Sequence, residues 1–172
     1  MKITRPSKEE YPEYYDRYIS KVKDDNIIKG LEEHGKMVLK LISGLGKKQL
    51  AYRYEEGKWS IKEILVHMMD GERVFCYRAL RFARNDQTEL PGFEEKEWAP
   101  NSGADDRKIK SILKEYAAVR KASLELFSNM TEEMLNRTGV ANGSQFVVRA
   151  FPYIILGHEK HHIGIMKERY LG

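Results

Sequence analysis

The chain has 172 residues, the length of one domain with room for a real hydrophobic core, so residues 1–172 read as a single domain. Charged residues make up 33% and hydrophobic residues 41%, the signs are interspersed and the formal net charge is +4; without a dense Lys/Arg tract, nucleic acid is not an expected partner. One cysteine, Cys76, excludes a disulfide framework or a thiolate metal cluster, and with no signal-like N-terminus and no membrane-length apolar run the expectation is a cytoplasmic protein off the membrane.

Four long segments carry helical periodicity. The first runs from Pro12 to Ser43, marked by Tyr18, Val22, Ile27, Leu31, Val38 and Leu41, and stops at Gly44-Leu45-Gly46. Tyr52-Arg53-Tyr54 is the best strand signal and is too short to anchor a sheet. The second helix starts at Ser60, where Ser60-Ile61-Lys62-Glu63 fits a capping box, and ends near Arg84 at Asn85-Asp86. Residues 85–102, with Pro91-Gly92 and Ala99-Pro100, read as a long connection.

A third helix spans Ala104 to Met130, with Ile109, Ile112, Leu113, Tyr116, Val119, Leu124 and Phe127 on its apolar side. Thr131 caps a short turn of helix, broken by Gly139 and Gly143. The fourth helix begins near Ser144, and Pro152 kinks it or displaces its start. The economical architecture is an all-α four-helix bundle.

Chemistry concentrates in Gly157-His158-Glu159-Lys160-His161-His162-Ile163. His158 and His162, four residues apart, stack on one helix face. Val147, Phe151, Ile154, Ile155 and Ile165 fall within about 60° of His158 at the 3.6-residue period. Two imidazoles on a core-facing stripe need partners, because an unsatisfied buried polar group costs about 1–3 kcal/mol. A shared metal ion satisfies both.

HEKHH also fits the HExxH pattern of zinc proteases, but no histidine follows to complete that site. The better third ligand is His67 on the second helix, beside small Gly71. Three imidazoles leave an open metal position, the catalytic pattern. Zinc and nickel lead the candidates. Asp70 and Glu159, each one turn from a ligand, are the candidates for orienting an imidazole or moving a proton. A solvated helix charge is the plain alternative for both.

His161 lies toward the rim and His34 in the core or a pocket lining. Cys76 faces away from His67. Arg78 shares the His67 face at about 20°. If buried, it needs an anion, either a substrate carboxylate or phosphate or an acid on another helix.

The segment Lys58-Trp59-Ser60-Ile61-Lys62-Glu63-Ile64-Leu65-Val66-His67, with Asp70 and Glu72, resembles the opening signature of the DinB/YfiT-like superfamily. Gly157 to His162 is similar to its closing signature, and Pro91-Gly92-Phe93 to Trp98 fits its long connection. The resemblance covers essentially the whole chain. It implies an up-down-down-up bundle, often a homodimer, with a divalent metal on His67, His158 and His162. It further implies a small-molecule substrate and either hydrolysis or transfer of a low-molecular-weight thiol of the bacillithiol kind. The competing expectation is a non-catalytic dimeric helical bundle, a binding or scaffold protein whose metal is structural or absent.

Overall fold

In the computed structural model, which describes residues 2–172, four long helices form the body. In chain order the elements are α1 (Asp16–Ile19), α2 (Ile27–Ser43), α3 (Lys47–Ala51), α4 (Ile61–Ala83), α5 (Glu95–Trp98), α6 (Ile109–Ser128), α7 (Glu132–Asn136), β1 (Thr138–Ala141), β2 (Ser144–Val147) and α8 (Ala150–Arg169).

Side-chain contacts fix the directions of the four long helices. Residues 31 and 35 of α2 meet 120 and 116 of α6, so these two run antiparallel. Residues 30 and 34 of α2 meet 156 and 159 of α8, which is therefore parallel to α2. Glu72 and Cys76 of α4 meet Arg120 and Ser123 of α6 in parallel. Phe82 of α4 meets Phe151 of α8, and His67 meets His162, in antiparallel fashion. The order is up-down-down-up.

Sequence chemistry explains the helix ends. The Ser60 hydroxyl accepts from the Glu63 amide at 3.1 Å and Glu63 accepts from the Ser60 amide at 2.7 Å, closing the expected capping box at the start of α4. Thr131 caps α7 through the Met134 amide. Pro152 is the third residue of α8, where a missing N–H costs no intrahelical bond, so it displaces the helix start rather than kinking it.

Three boundaries differ from the sequence expectation. The first segment is not one helix: α1 and two short 3₁₀ turns precede a break, and α2 restarts at Asn26, whose side chain accepts from the Lys29 amide. Residues 104–106 form a separate 3₁₀ turn before α6. The fourth helix starts at Ala150, because residues 138–147 pair as an antiparallel hairpin, with Val147 in β2. Its turn is Asn142-Gly143, both at positive φ (51° and 69°), the geometry that favours Asn-Gly. Tyr52-Arg53-Tyr54 forms no strand.

The hairpin packs on α4 so closely that a Cβ at Gly139 would lie 2.1 Å from the Phe82 ring. The apolar core has two halves. One gathers Leu31, Phe75, Phe127, Phe151 and Leu156, and the other gathers Val38, Leu65, Met69, Ile112 and Ile163. A buried polar layer lies between them. No helix among the described residues is long and apolar enough to cross a membrane.

Candidate metal centre

The seam between α4 and α8 brings His67, His158 and His162 to one point. Their Nε2 atoms form a nearly equilateral triangle, with sides of 3.0 Å (67–158), 3.2 Å (67–162) and 3.0 Å (158–162). Protons alone cannot satisfy it. Each Nε2 either donates or accepts, and a ring of three contacts cannot alternate donor and acceptor, so at least one pair faces like against like.

A metal resolves the conflict by taking all three lone pairs. Tetrahedral coordination at about 2.0–2.1 Å sets neighbouring ligand nitrogens about 3.3 Å apart, within a few tenths of an ångström of this triangle. Burial supports the neutral ligand state: it lowers His67 to about 4 and His162 to about 3, and pushes His158 well below its ordinary value. The residues present fit a divalent ion.

Packing holds the rings in place. Trp59 covers His67 at 4.8 Å between centroids, and Tyr18 meets His158 edge-on at 5.3 Å. Gly71 faces the His158 ring, and a Cβ there would sit 3.4 Å from its Cε1. At Gly157 a Cβ would lie 2.2 Å from the Tyr18 carbonyl oxygen, so only glycine lets α1 approach this closely and set Tyr18 against His158.

Two openings flank the triad. On the His162 side, a cavity of about 420 Å³ is walled by Tyr54, Trp59, Ile64, Ile165 and Tyr170, with Lys58 and Lys96 also in its lining. On the other side, a narrow recess of about 20 Å³ touches His67, Gly71 and His158 beneath Tyr15, Tyr18 and Phe93.

Comparison with known proteins agrees with this arrangement. The family model of the DinB superfamily matches residues 30–166. The chain belongs to the DinB superfamily. A relative from Oceanobacillus iheyensis, by name a candidate metal-dependent hydrolase, is 24% identical over 143 residues, covering 81% of each chain. Another from Geobacillus thermodenitrificans, named in the same way, is 26% identical over 126 residues, covering 70% of this chain and 69% of the relative. The solved structure of YfiT from Bacillus subtilis superposes with a TM-score of 0.74 at 17% identity, covering 96% of this chain and 90% of that one. It is described as a candidate metal-dependent hydrolase with an unusual four-helix bundle topology, and the likeness extends the shared architecture along nearly all of this DinB-superfamily chain.

The two carboxylates singled out from the sequence are each held by an arginine. Asp70 accepts from Arg73 at 3.2 Å and makes no hydrogen bond to an imidazole of the triad; burial raises its pKa. Glu159 turns about 100° away from His158 into the bundle interior. There it accepts from Arg120 at 2.7 and 3.2 Å, from His34 Nδ1 at 2.6 Å and from the Tyr116 hydroxyl. Because a carboxylate only accepts, His34 must carry its proton on Nδ1. Burial opposes the charge on Glu159, but Arg120 and the His34 bond outweigh it and hold the carboxyl down to about 2. Glu159 thus sits in a buried hydrogen-bonded network and makes no hydrogen bond to an imidazole of the triad.

That network was not foreseen. Arg120, 5% exposed, also donates to both oxygens of Glu72 at 3.0 and 2.9 Å and to the Leu31 carbonyl at 2.7 Å. It ties α2, α4, α6 and α8 together. A signal existed: Arg120 lies one turn past Tyr116, on the apolar side of α6. His161 packs on Tyr18 at the rim, outside the ligand set. Cys76 donates to the Ser123 hydroxyl at 3.2 Å, away from the triad.

Proposed function

We propose that this chain is a metal-dependent hydrolase acting on a small molecule, with a divalent ion held by His67, His158 and His162. The observation that carries the reading is the three-nitrogen triangle that no arrangement of protons can satisfy. Zinc or nickel suits three neutral imidazoles. When bound, the ion supplies a Lewis-acid position that makes a nucleophile available at neutral pH.

The chain's residues do the rest. The three imidazoles stay neutral because they are buried, so their lone pairs remain available as ligands. Trp59 and Tyr18 fix two of the rings and shed water from them. The cavity beside His162 offers aromatic and aliphatic walls to part of a small molecule. The relatives' names favour hydrolysis.

Transfer of a low-molecular-weight thiol is the second reading, favoured by one observation. Among the described residues no carboxylate hydrogen-bonds to an imidazole of the triad, so no protein general base is in place there, and a divalent ion held by the triad would favour the deprotonated form of a thiol without one.

The test is elemental analysis of tag-free protein alongside His158→Ala, followed by ester, amide and thiol-transfer assays. The expected result is near-stoichiometric metal in the wild type and none in the variant, with activity following the metal. Absence of metal in both, with no uptake of added zinc or nickel, would overturn the reading.

A further inference from the structure

Arg78 is 2% exposed, yet no carboxylate among the described residues reaches within 4.0 Å of it. Burying a guanidinium without an anion is costly. Its Nη2 donates to the Pro91 carbonyl at 2.9 Å, and the Phe93 ring centroid lies 5.7 Å from Cζ. That bond uses one of five N–H donors. The Tyr15 hydroxyl stands beside the guanidinium, which works against the upward push of burial on that phenol's pKa, and no carboxylate among the described residues meets the remaining N–H groups. They open into a cleft of about 210 Å³ whose lining includes Tyr15, Phe93, Gly92, Asn142 and Phe146.

This cleft shares a wall with the recess that touches His67 and His158: Tyr14, Tyr15, Phe93 and Glu95 border both. The same α4 face carries His67, Gly71, Phe75 and Arg78, so the cation and the triad stand along one line. Glu95 borders the cleft beyond ion-pair distance of Arg78 and offsets its charge, which favours a monoanion over a phosphate dianion. The planar fork of arginine matches a carboxylate. Lys58, on the opposite side of the triad, is a weaker anchor: its side chain is 44% exposed and 3.9 Å from Glu55.

We propose that Arg78 binds the carboxylate of the substrate, with the reacting end of that molecule at the three-histidine centre. The placement of the reacting end rests on the metal-enzyme reading; the anion site does not. About 16 Å of helix axis separates residues 67 and 78.

The test follows the Arg78 Nε–H by NMR in ¹⁵N-labelled protein titrated with hexanoate and, separately, with its neutral isostere hexanamide. Expected is a saturating shift with hexanoate, bound about ten-fold more tightly than the amide, the difference a charge-assisted hydrogen bond supplies. Hexanoate affinity measured by isothermal titration calorimetry should weaken about ten-fold in Arg78→Lys, and the Nε–H shift should persist in His158→Ala. Persistence in that variant supports the anion site even if elemental analysis finds no metal in the wild type; only the placement of the reacting end then falls.

No shift, equal binding of hexanamide, or tighter binding of inorganic phosphate would each overturn the carboxylate assignment. So would loss of the shift in His158→Ala, which would place the carboxylate on the metal instead. If Arg78→Lys fails to fold, because Arg78 only latches the Pro91 connection, the wild-type titrations still decide.

Discussion

Two buried polar clusters meet at consecutive residues of α8, one built on His158 and the other on Glu159, and they differ in whether the protein alone can complete them. Around Glu159, the Arg120 guanidinium reaches two carboxylates and a backbone carbonyl, and Tyr116 and His34 supply further donors. Donors match acceptors and the network closes. Around His158, three like nitrogens point at one another and cannot be matched. Closure marks a cluster that holds the fold together; a residue of unmatched lone pairs marks one that waits for a ligand. Both are similarly buried, so burial does not tell them apart. The parity of donors and acceptors does.

The comparison predicts opposite responses to disruption. Arg120→Met leaves Glu72 and Glu159 buried without their counterion, which should cost about 3–5 kcal/mol in urea unfolding. Neutralising both acids as well, in Arg120→Met/Glu72→Gln/Glu159→Gln, should recover much of that loss. A single variant as stable as wild type would mean the network is not structural.

The triad should behave the other way. Chelation should leave far-UV circular dichroism unchanged. With zinc or nickel at a hundred times its dissociation constant, the wild type should gain about 2.7 kcal/mol and His158→Ala should gain nothing. Collapse of the fold on chelation would make the metal structural and erase the contrast.

A third variant sharpens the geometry linking the two clusters. Gly157→Ala inserts a methyl group 2.2 Å from the Tyr18 carbonyl, so α1 must lift from α8. The expected cost is about 1–3 kcal/mol by thermal or urea unfolding, with weaker metal retention as Tyr18 leaves His158. Unchanged stability would show that α1 is not held there.

The legibility of this fold followed the range of its signals. Long apolar periodicities and the Ser60 capping box gave the four helices, and the spacing of His158 and His162 gave one edge of the triad. His67 was reachable because it lies on an apolar face. What escaped depended on pairing across space. The Asn142-Gly143 turn was written in the sequence, between β-forming residues, but a four-residue strand has too few alternations to stand out beside a neighbouring helix. The break before Asn26 was masked because Val22 lies four residues after Tyr18 and five before Ile27, close to helical spacing. Asp70 and Glu159 were placed near the metal by turn-counting along each helix. Turn-counting is blind to an arginine on the same or another helix that claims the carboxylate first.

Cys76 tests the smallest part of the comparison, because it sits on the closed side. Its thiol donates to Ser123, beside Glu72 and Arg120 of the network, and burial pushes its pKa up to about 12. An unfolded cysteine titrates near 8.5, so at pH 8 the thiolate fraction should fall from about one in four to about one in ten thousand on folding. Iodoacetamide should therefore label native protein slowly at pH 8 and urea-unfolded protein rapidly, because the thiolate is the nucleophile. The sign for stability follows: with the folded pKa raised, the contribution is fully present below about 8.5 and is lost as pH rises toward 12. Native labelling should accelerate over that same window. Rapid labelling at pH 8 without unfolding would show that the thiol is open to solvent, and the line between a closed structural cluster and an open metal centre would have to be redrawn around it.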